Sequence, residues 1–230
     1  VADEYAYQLK KRGTEMRRDM EFDLVNTYNK QTTTGARQSA GYQAFINSGD
    51  TCVFKGSFTA VAAPNTGLTV IDVAAAKTKV ALALTDIDGV MQKIYENGGS
   101  ATRIMVSPKL RRDFSDLMVS DTGVRRNIDE DGKLRQSVDV YMSDFGDLMV
   151  VPNYIMGLAF TTTDATTTQF AAKDSCALIY DPQWFAMATF RPMQEVEVGQ
   201  KGDSTVGMFV EEWSLEVKNP KGCGAVYGLQ

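Results

Sequence analysis

The chain reads as an α+β protein, on three observations. Residues 2–29 place Ala2, Tyr5, Ala6, Leu9, Met16, Met20 and Leu24 at three- and four-residue steps, the spacing of one face of a helix. The middle of the chain holds a second stretch of that period, then a short apolar run and a third. Beyond Ser120 the period falls to two, with Val138, Val140 and Met142 alternating with polar residues. Helices first and strands last, with a strand and a helix between, predict a long helix packed on an antiparallel sheet.

The first helix, residues 2–29, carries its charge away from the apolar face: Lys10, Lys11, Arg12, Glu15, Arg17, Arg18, Asp19, Glu21 and Asp23. Only Gly13 interrupts that face, at a cost of about 1 kcal/mol against Ala. Glu15 with Arg18 and Arg17 with Glu21 stand at spacings that allow ion pairs on a helix. The charged face suits solvent, or a neighbouring subunit. Thr32-Thr33-Thr34-Gly35 ends the helix. Residues 30–67 have little periodicity and read as an extended connection, with short strands at 52–54 and 57–61 around Gly56 and a turn at Pro64-Asn65-Thr66-Gly67.

A second helix is expected over 70–97, from Val70, Val73, Val80, Leu84, Ile87, Met91 and Ile94, closed by Asn97-Gly98-Gly99. A buried strand follows at 102–106. Ser107-Pro108 then opens a third helix, Ser as N-cap and Pro in the first helical position. Its apolar side is Phe114, Leu117 and Met118. Asp129-Glu130-Asp131-Gly132 reads as a turn. Phe145-Gly146-Asp147 turns into a strand at 148–151, and 161–168 is a Thr-rich loop. Strands are expected at 177–180, 184–190, 195–198 and 206–217, broken by Asp181-Pro182, residues 199–203 and Asn219-Pro220.

Composition narrows the chemistry. The 230 residues are 43% hydrophobic and 23% charged, enough for a large core. With a net charge of −5 and no basic stripe long enough to follow a phosphate backbone, sequence-specific nucleic-acid binding is not expected. Histidine is absent, which removes Ser-His-Asp, Cys-His and HExxH arrangements. Neither GxGxxG nor GxxxxGK[ST] occurs. Cys52, Cys176 and Cys223 are odd in number and far apart, so reduced thiols are expected rather than disulfides or zinc ligands. No apolar run approaches the ~20 residues of a membrane helix. Asp129–Gly132 lacks calcium-loop spacing, since the twelfth position is Val140. Glu211 and Glu212 beside Trp213 would point to opposite faces of a strand, and Glu195 and Glu197 would share one exposed face. No catalytic, cofactor or metal site is expected. Val1 is not Met, and the chain starts inside a helix, so a processed or truncated chain is expected.

Two central segments carry a family resemblance. One runs Ile94-Tyr95-Glu96-Asn97-Gly98-Gly99, then Thr102-Arg103-Ile104-Met105-Val106-Ser107-Pro108-Lys109-Leu110. The other runs Val140-Tyr141-Met142-Ser143-Asp144-Phe145-Gly146-Asp147-Leu148-Met149-Val150-Val151-Pro152-Asn153. Together they resemble the major capsid proteins of tailed bacteriophages, specifically the short-tailed-phage major head proteins with the Hong Kong 97-like fold. The resemblance implies a long spine helix (residues 2–29) on the antiparallel sheet of a peripheral domain, plus an α/β axial domain. It divides the chain into 1–69, helix and connection of the peripheral domain; 70–182, axial domain; and 183–230, strands returning to the peripheral domain. In such proteins a hairpin arm and an N-terminal arm lie upstream of the spine helix, where this chain does not reach.

The implied function is mechanical: identical subunits form pentamers and hexamers that tile an icosahedral head around double-stranded DNA. DNA would be enclosed without sequence-specific binding, and an acidic wall would not stick to its cargo. Portal and scaffold proteins, and decoration proteins, are the implied partners; no membrane is. The implied location is the virion, assembled in the host cytoplasm. The inter-subunit residues expected are Arg12, Glu15, Arg17, Arg18, Glu21, Arg125 and Arg126, and charge reversal at Arg17 or Arg18 is expected to harm assembly more than folding. Two other readings stand beside this one. A nanocompartment shell of the same fold would hold protein cargo. A monomeric binding domain or a histidine-free, carboxylate-dependent hydrolase would show a discrete pocket.

Overall fold

The computed structural model describes residues 4–25, 39–46, 51–57, 59–62, 69–72, 78–121, 139–157, 175–198, 202 and 206–230. In chain order its elements are α1 (Glu4–Val25), α2 (Tyr42–Phe45), β1 (Cys52–Phe54), β2 (Thr59–Ala62), β3 (Thr69–Asp72), α3 (Leu84–Glu96), β4 (Arg103–Val106) and α4 (Pro108–Asp121). After these come β5 (Val140–Ser143), β6 (Gly146–Pro152), β7 (Cys176–Tyr180), β8 (Phe185–Val198), β9 (Val206–Val217) and β10 (Gly224–Tyr227).

Six strands form the central sheet in the order β1-β10-β7-β4-β6-β5. β1 runs parallel to β10 and β4 parallel to β6; the remaining pairs are antiparallel. Side chains alternate between the sheet's two faces, and each face has its own core. On one side Ile104 and Val106, Leu148 and Val150, Ala177 and Ile179, and Val226 meet Ile87, Val90, Met91 and Ile94 of α3 and Leu110 and Phe114 of α4. On the other, Cys52, Cys176, Leu178, Ala225 and Tyr227 meet Val25 at the end of α1, Tyr42, Ile46 and Met156. Strand β7 is buried on both sides, which is why Cys176-Ala177-Leu178-Ile179 is a continuous apolar run.

A second body joins this sheet at its second face. β8 and β9 form a long antiparallel hairpin, and α1 lies along it. Phe185 and Leu215 at the hairpin's root pack into the second core. The six-stranded sheet draws on all three expected segments, with β1 from 1–69 and β10 from 183–230.

Three expectations are corrected here. The second helix does not begin near Val70. Residues 69–72 are strand β3, paired antiparallel with β2 from Thr59↔Asp72 to Ala62↔Thr69, and the helix starts at Leu84. Thr69, Val70 and Ile71 are β-branched, so the hairpin partner decides between two readings of one apolar spacing. Second, 184–190 and 195–198 are one strand. Its register shifts between Thr189 and Arg191 and again between Arg191 and Gln194, so Pro192, which has no N–H, falls in a bulged stretch where a missing donor is tolerated. Third, Glu15 pairs with Arg12 at 2.7 Å rather than with Arg18, and Glu21 accepts from Asn153 rather than pairing with Arg17. The turns expected at 32–35, 64–67 and 129–132 and the loop at 161–168 lie outside the described residues.

Candidate assembly surface

The residues of the two quoted segments hold backbone geometry. Gly98 has φ 75°, and the amides of Gly98 and Gly99 donate to Tyr95 O and Ile94 O, each at 2.9 Å, closing α3. A Cβ on Gly99 would stand 2.6 Å from the Cα of Gly222, so the end of α3 touches the chain just before β10. Ser107 Oγ accepts from Leu110 N at 3.3 Å as the N-cap of α4. At the β5–β6 turn, Ser143 Oγ accepts from Phe145 N and donates to Gly146 O, while Gly146 takes φ 137°. Asn153 does the most. Its Oδ1 accepts from Ile155 N at 2.8 Å, its Nδ2 donates to Glu21 Oε1 at 2.9 Å, and its amide donates to Val106 O at 2.8 Å. One residue thus ties the spine helix to the ends of β4 and β6 in the central sheet.

Helix α1 presents two opposite faces. Tyr5, Leu9, Met16 and Met20 are partly covered and Gly13 is buried; Met193 Cε of β8 lies 3.2 Å from where a Cβ on Gly13 would stand. The Tyr5 hydroxyl donates to Glu195. Pointing away are Tyr7, 56% exposed, with Lys11, Thr14 and Arg18, all exposed. Of the expected interface residues, Arg18 is on this outward side. Arg17 borders a cleft with Lys10, Met193 and Phe209, beside the hairpin. Arg12 and Glu15 bond each other, and Glu21 is turned inward to Asn153. Arg125 and Arg126 lie outside the described residues.

The hairpin is also two-faced. Phe209, Glu211, Trp213 and Leu215 are half-buried on the side of α1 and the sheet. The other side exposes Val196, Val198, Val206 and Met208 together with Glu212 and Glu216. Arg191 reaches Glu212 at 3.6 Å, with both side chains about half exposed, a pair worth little in water. Glu211 and Glu212 therefore part to opposite faces. Sequence reasoning passed over this outer apolar stripe, although the alternation of Val196 with Val198 and of Val206 with Met208 marks it.

The buried polar groups are structural in placement. Cys52, Cys176 and Cys223 are buried thiols outside any disulfide. Burial pushes the Cys52 thiol up to about 12 and Cys223 to about 11, and Tyr42 and Tyr227 rise well above the ordinary phenol range for the same reason. A reactive thiol needs the opposite shift. An apolar cleft of about 380 Å³ opens where α1, the central sheet and the hairpin root meet, lined by Leu24, Tyr42, Met105, Leu178, Phe185 and Leu215, with Glu21 as its carboxylate. Glu21 is already bonded to Asn153, so the cleft holds no acid–base pair among the described residues. No group of three or more metal-ligating side chains is found among the described residues.

No curated protein matches the chain. Among solved structures, the SrpI encapsulin from Synechococcus elongatus is similar at TM-score 0.59 and 10% identity, over 99% of this chain and 66% of that one. The mature capsid of bacteriophage PhiM1 is similar at TM-score 0.52 and 12% identity, over 98% and 65%. A third similarity is to Gordonia phage Cozz, TM-score 0.48 and 16% identity over 97% and 64%. This chain spans just under two thirds of each. At such identities the likeness concerns the fold, which is Hong Kong 97-like. The family model described as SU10 major capsid protein matches residues 1–230, and the chain belongs to that family.

Proposed function

We propose that the protein is the structural subunit of an icosahedral phage head, assembling with identical copies into pentamers and hexamers that enclose packaged double-stranded DNA. The observation that carries this reading is the match of the capsid family to the whole chain. The residues support it. The segments that stand out in the sequence set caps, turns and close backbone approaches, and a shell subunit needs position, not a reaction. In this reading the α1–hairpin body is peripheral and the sheet with α3 and α4 axial. The divisions 1–69, 70–182 and 183–230 then mark the chain's passages between them, with β1 and β10 crossing into the axial sheet. Portal, scaffold and decoration proteins are the further partners, and the virion, built in the host cytoplasm, is the location. No described helix is long and apolar enough to cross a membrane.

Electron microscopy and light scattering of the full-length protein test this directly. Closed shells, or rings of five and six subunits, are expected. A monodisperse monomer in assembly-permissive salt with a scaffold co-expressed would overturn it. A second reading, a nanocompartment shell, draws on the likeness to the encapsulin. The contents of purified shells separate the two: nuclease-protected double-stranded DNA for a phage head, a protein cargo for a compartment.

A further inference from the structure

We infer that the outward stripe of α1 lines the inner side of the shell and rests on the phosphates of the enclosed double-stranded DNA. The inference rests on the shell reading; it adds which side of the subunit faces the cargo and which residues meet it.

The subunit is acidic in sum, with a net charge of −5, but its charge is unevenly placed. Residues 10–18 hold five cations, Lys10, Lys11, Arg12, Arg17 and Arg18, against Glu15 alone. Arg12 and Glu15 bond each other at 2.7 Å and cancel. Among the described residues no ion pair forms at Lys10, Lys11, Arg17 or Arg18, and all four are exposed. Lys10, Lys11 and Arg18 line one shallow concavity with Tyr7 and Thr14, and Arg17 flanks it on the side of Met193. Asp19 and Asp23 limit the stripe at its C-terminal end, while Glu21 is turned inward to Asn153. At the other end Glu4 accepts from Gln8.

The hairpin carries the opposite sign. β8 and β9 hold five glutamates against Arg191, and Glu212 and Glu216 stand on the side turned from α1. The two outer surfaces of the α1–hairpin body therefore differ: cationic on the helix, acidic and partly apolar on the hairpin. A duplex carries one phosphate charge per about 1.7 Å of its axis, so DNA against a shell wall presents dense negative charge. It repels carboxylates that face it and attracts unpaired cations. Of the two sides, the helix suits the interior.

The stripe reads DNA as a polyanion and not as a sequence. Lys10 to Arg18 spans roughly 12 Å along a helix, beside about seven phosphates of a parallel duplex. Lysine and arginine contacts to phosphate carry no sequence information. One copy's stripe is short and its hold is weak. Many copies lining one shell act on the same DNA, so weak contacts add. An acidic protein segment would meet the same cations, but the shell reading puts phosphate, in excess, on one side of every subunit.

The test titrates a short random-sequence DNA duplex with the full-length protein, once as unassembled subunits and once as closed shells. Subunits should bind, with an affinity that falls as salt rises. Lys11→Gln with Arg18→Gln should weaken binding about tenfold at low salt and make the salt slope shallower by about two, one for each cation removed. Lys11→Arg with Arg18→Lys should keep wild-type binding, and Glu212→Gln with Glu216→Gln should not weaken it. Closed shells should leave added duplex unbound, because the stripe is inside. Wild-type affinity and slope in the Gln pair overturn the DNA contact. Shells that bind added duplex through Lys11 and Arg18 overturn the inward placement. Poly-glutamate that binds subunits more tightly than a duplex of equal charge overturns DNA in favour of an acidic protein partner. A wild-type chain that forms no shells overturns the shell reading and the inward placement with it, while the subunit titration still decides the contact.

Discussion

A methyl group on Gly99 would lie 2.6 Å from Gly222 Cα and 2.9 Å from Ile94 Cγ2. Backbone stands on one side and a fully buried side chain on the other, so neither can step aside without moving α3 or β10. Gly99→Ala should therefore cost about 1–3 kcal/mol, the usual range for overpacking a filled site, read as a lower melting temperature of the unassembled subunit. Gly98→Ala should cost about 1 kcal/mol through its positive φ alone, with open space around it. Solvent pH acts on another set of residues. Burial raises Cys52, Cys223, Tyr42 and Tyr227 together. The folded protein thus favours their neutral forms. That contribution to stability is whole below the ordinary thiol range and is lost as pH climbs toward the raised Cys52 value of about 12. The urea midpoint should be flat from about pH 6 to 8 with respect to these groups and fall by about pH 10.5. A midpoint unchanged at the higher pH would mean that the second core tolerates thiolate and phenolate.

The packing of α1 is the element whose fit turns on a single small residue. Gly13 faces Met193 Cε, the mobile end of a flexible side chain, at 3.2 Å. Gly13→Ala should be neutral or stabilising by up to about 1 kcal/mol, since helix propensity improves and the thioether can shift. Gly13→Leu should lift α1 off the hairpin and lower the melting temperature. Equal melting temperatures for the two variants would show that α1 has slack against β8. Elements of this kind were legible in the sequence wherever one period persisted: the inner face of α1, the Ser107 cap and the run of β7 all stand where spacing and residue type place them. Residues 69–72 were not, because Val70 and Val73 fit a helical step equally well and only pairing with β2 settles the matter. Asn153 shows the same limit for the candidate surface. Its type suggests a turn, but its bond to Glu21 joins residues 132 apart in sequence, and no local pattern reports a partner at that distance. The expected Arg17–Glu21 pair on α1 gave way for a related reason: Glu21 has a tertiary partner that competes with a helical one.

The molecule as a whole joins a complete body to an incomplete one. The central sheet has helices over one face and α2, the end of α1 and the hairpin root over the other, and its buried residues include Ile87, Ile104, Phe114, Leu148 and Ile179 at full burial. The hairpin has one side turned from α1, which leaves Val196 38% and Met208 50% exposed. Local stability follows cover and contact density. In the free subunit, amide exchange should be slowest in β4, β7 and β10 and much faster in β8 and β9 beyond their root, although all are paired strands. In the assembled shell the outer half of the hairpin should gain protection while β7 changes little, because only the hairpin has a face left to cover. Hydrogen exchange of unassembled subunits against shells, followed peptide by peptide, makes the comparison. Hairpin peptides already as protected in the free subunit as those of β7 would mean that α1 alone stabilises the ribbon, and its exposed valines and methionine would then need an explanation other than a neighbouring copy.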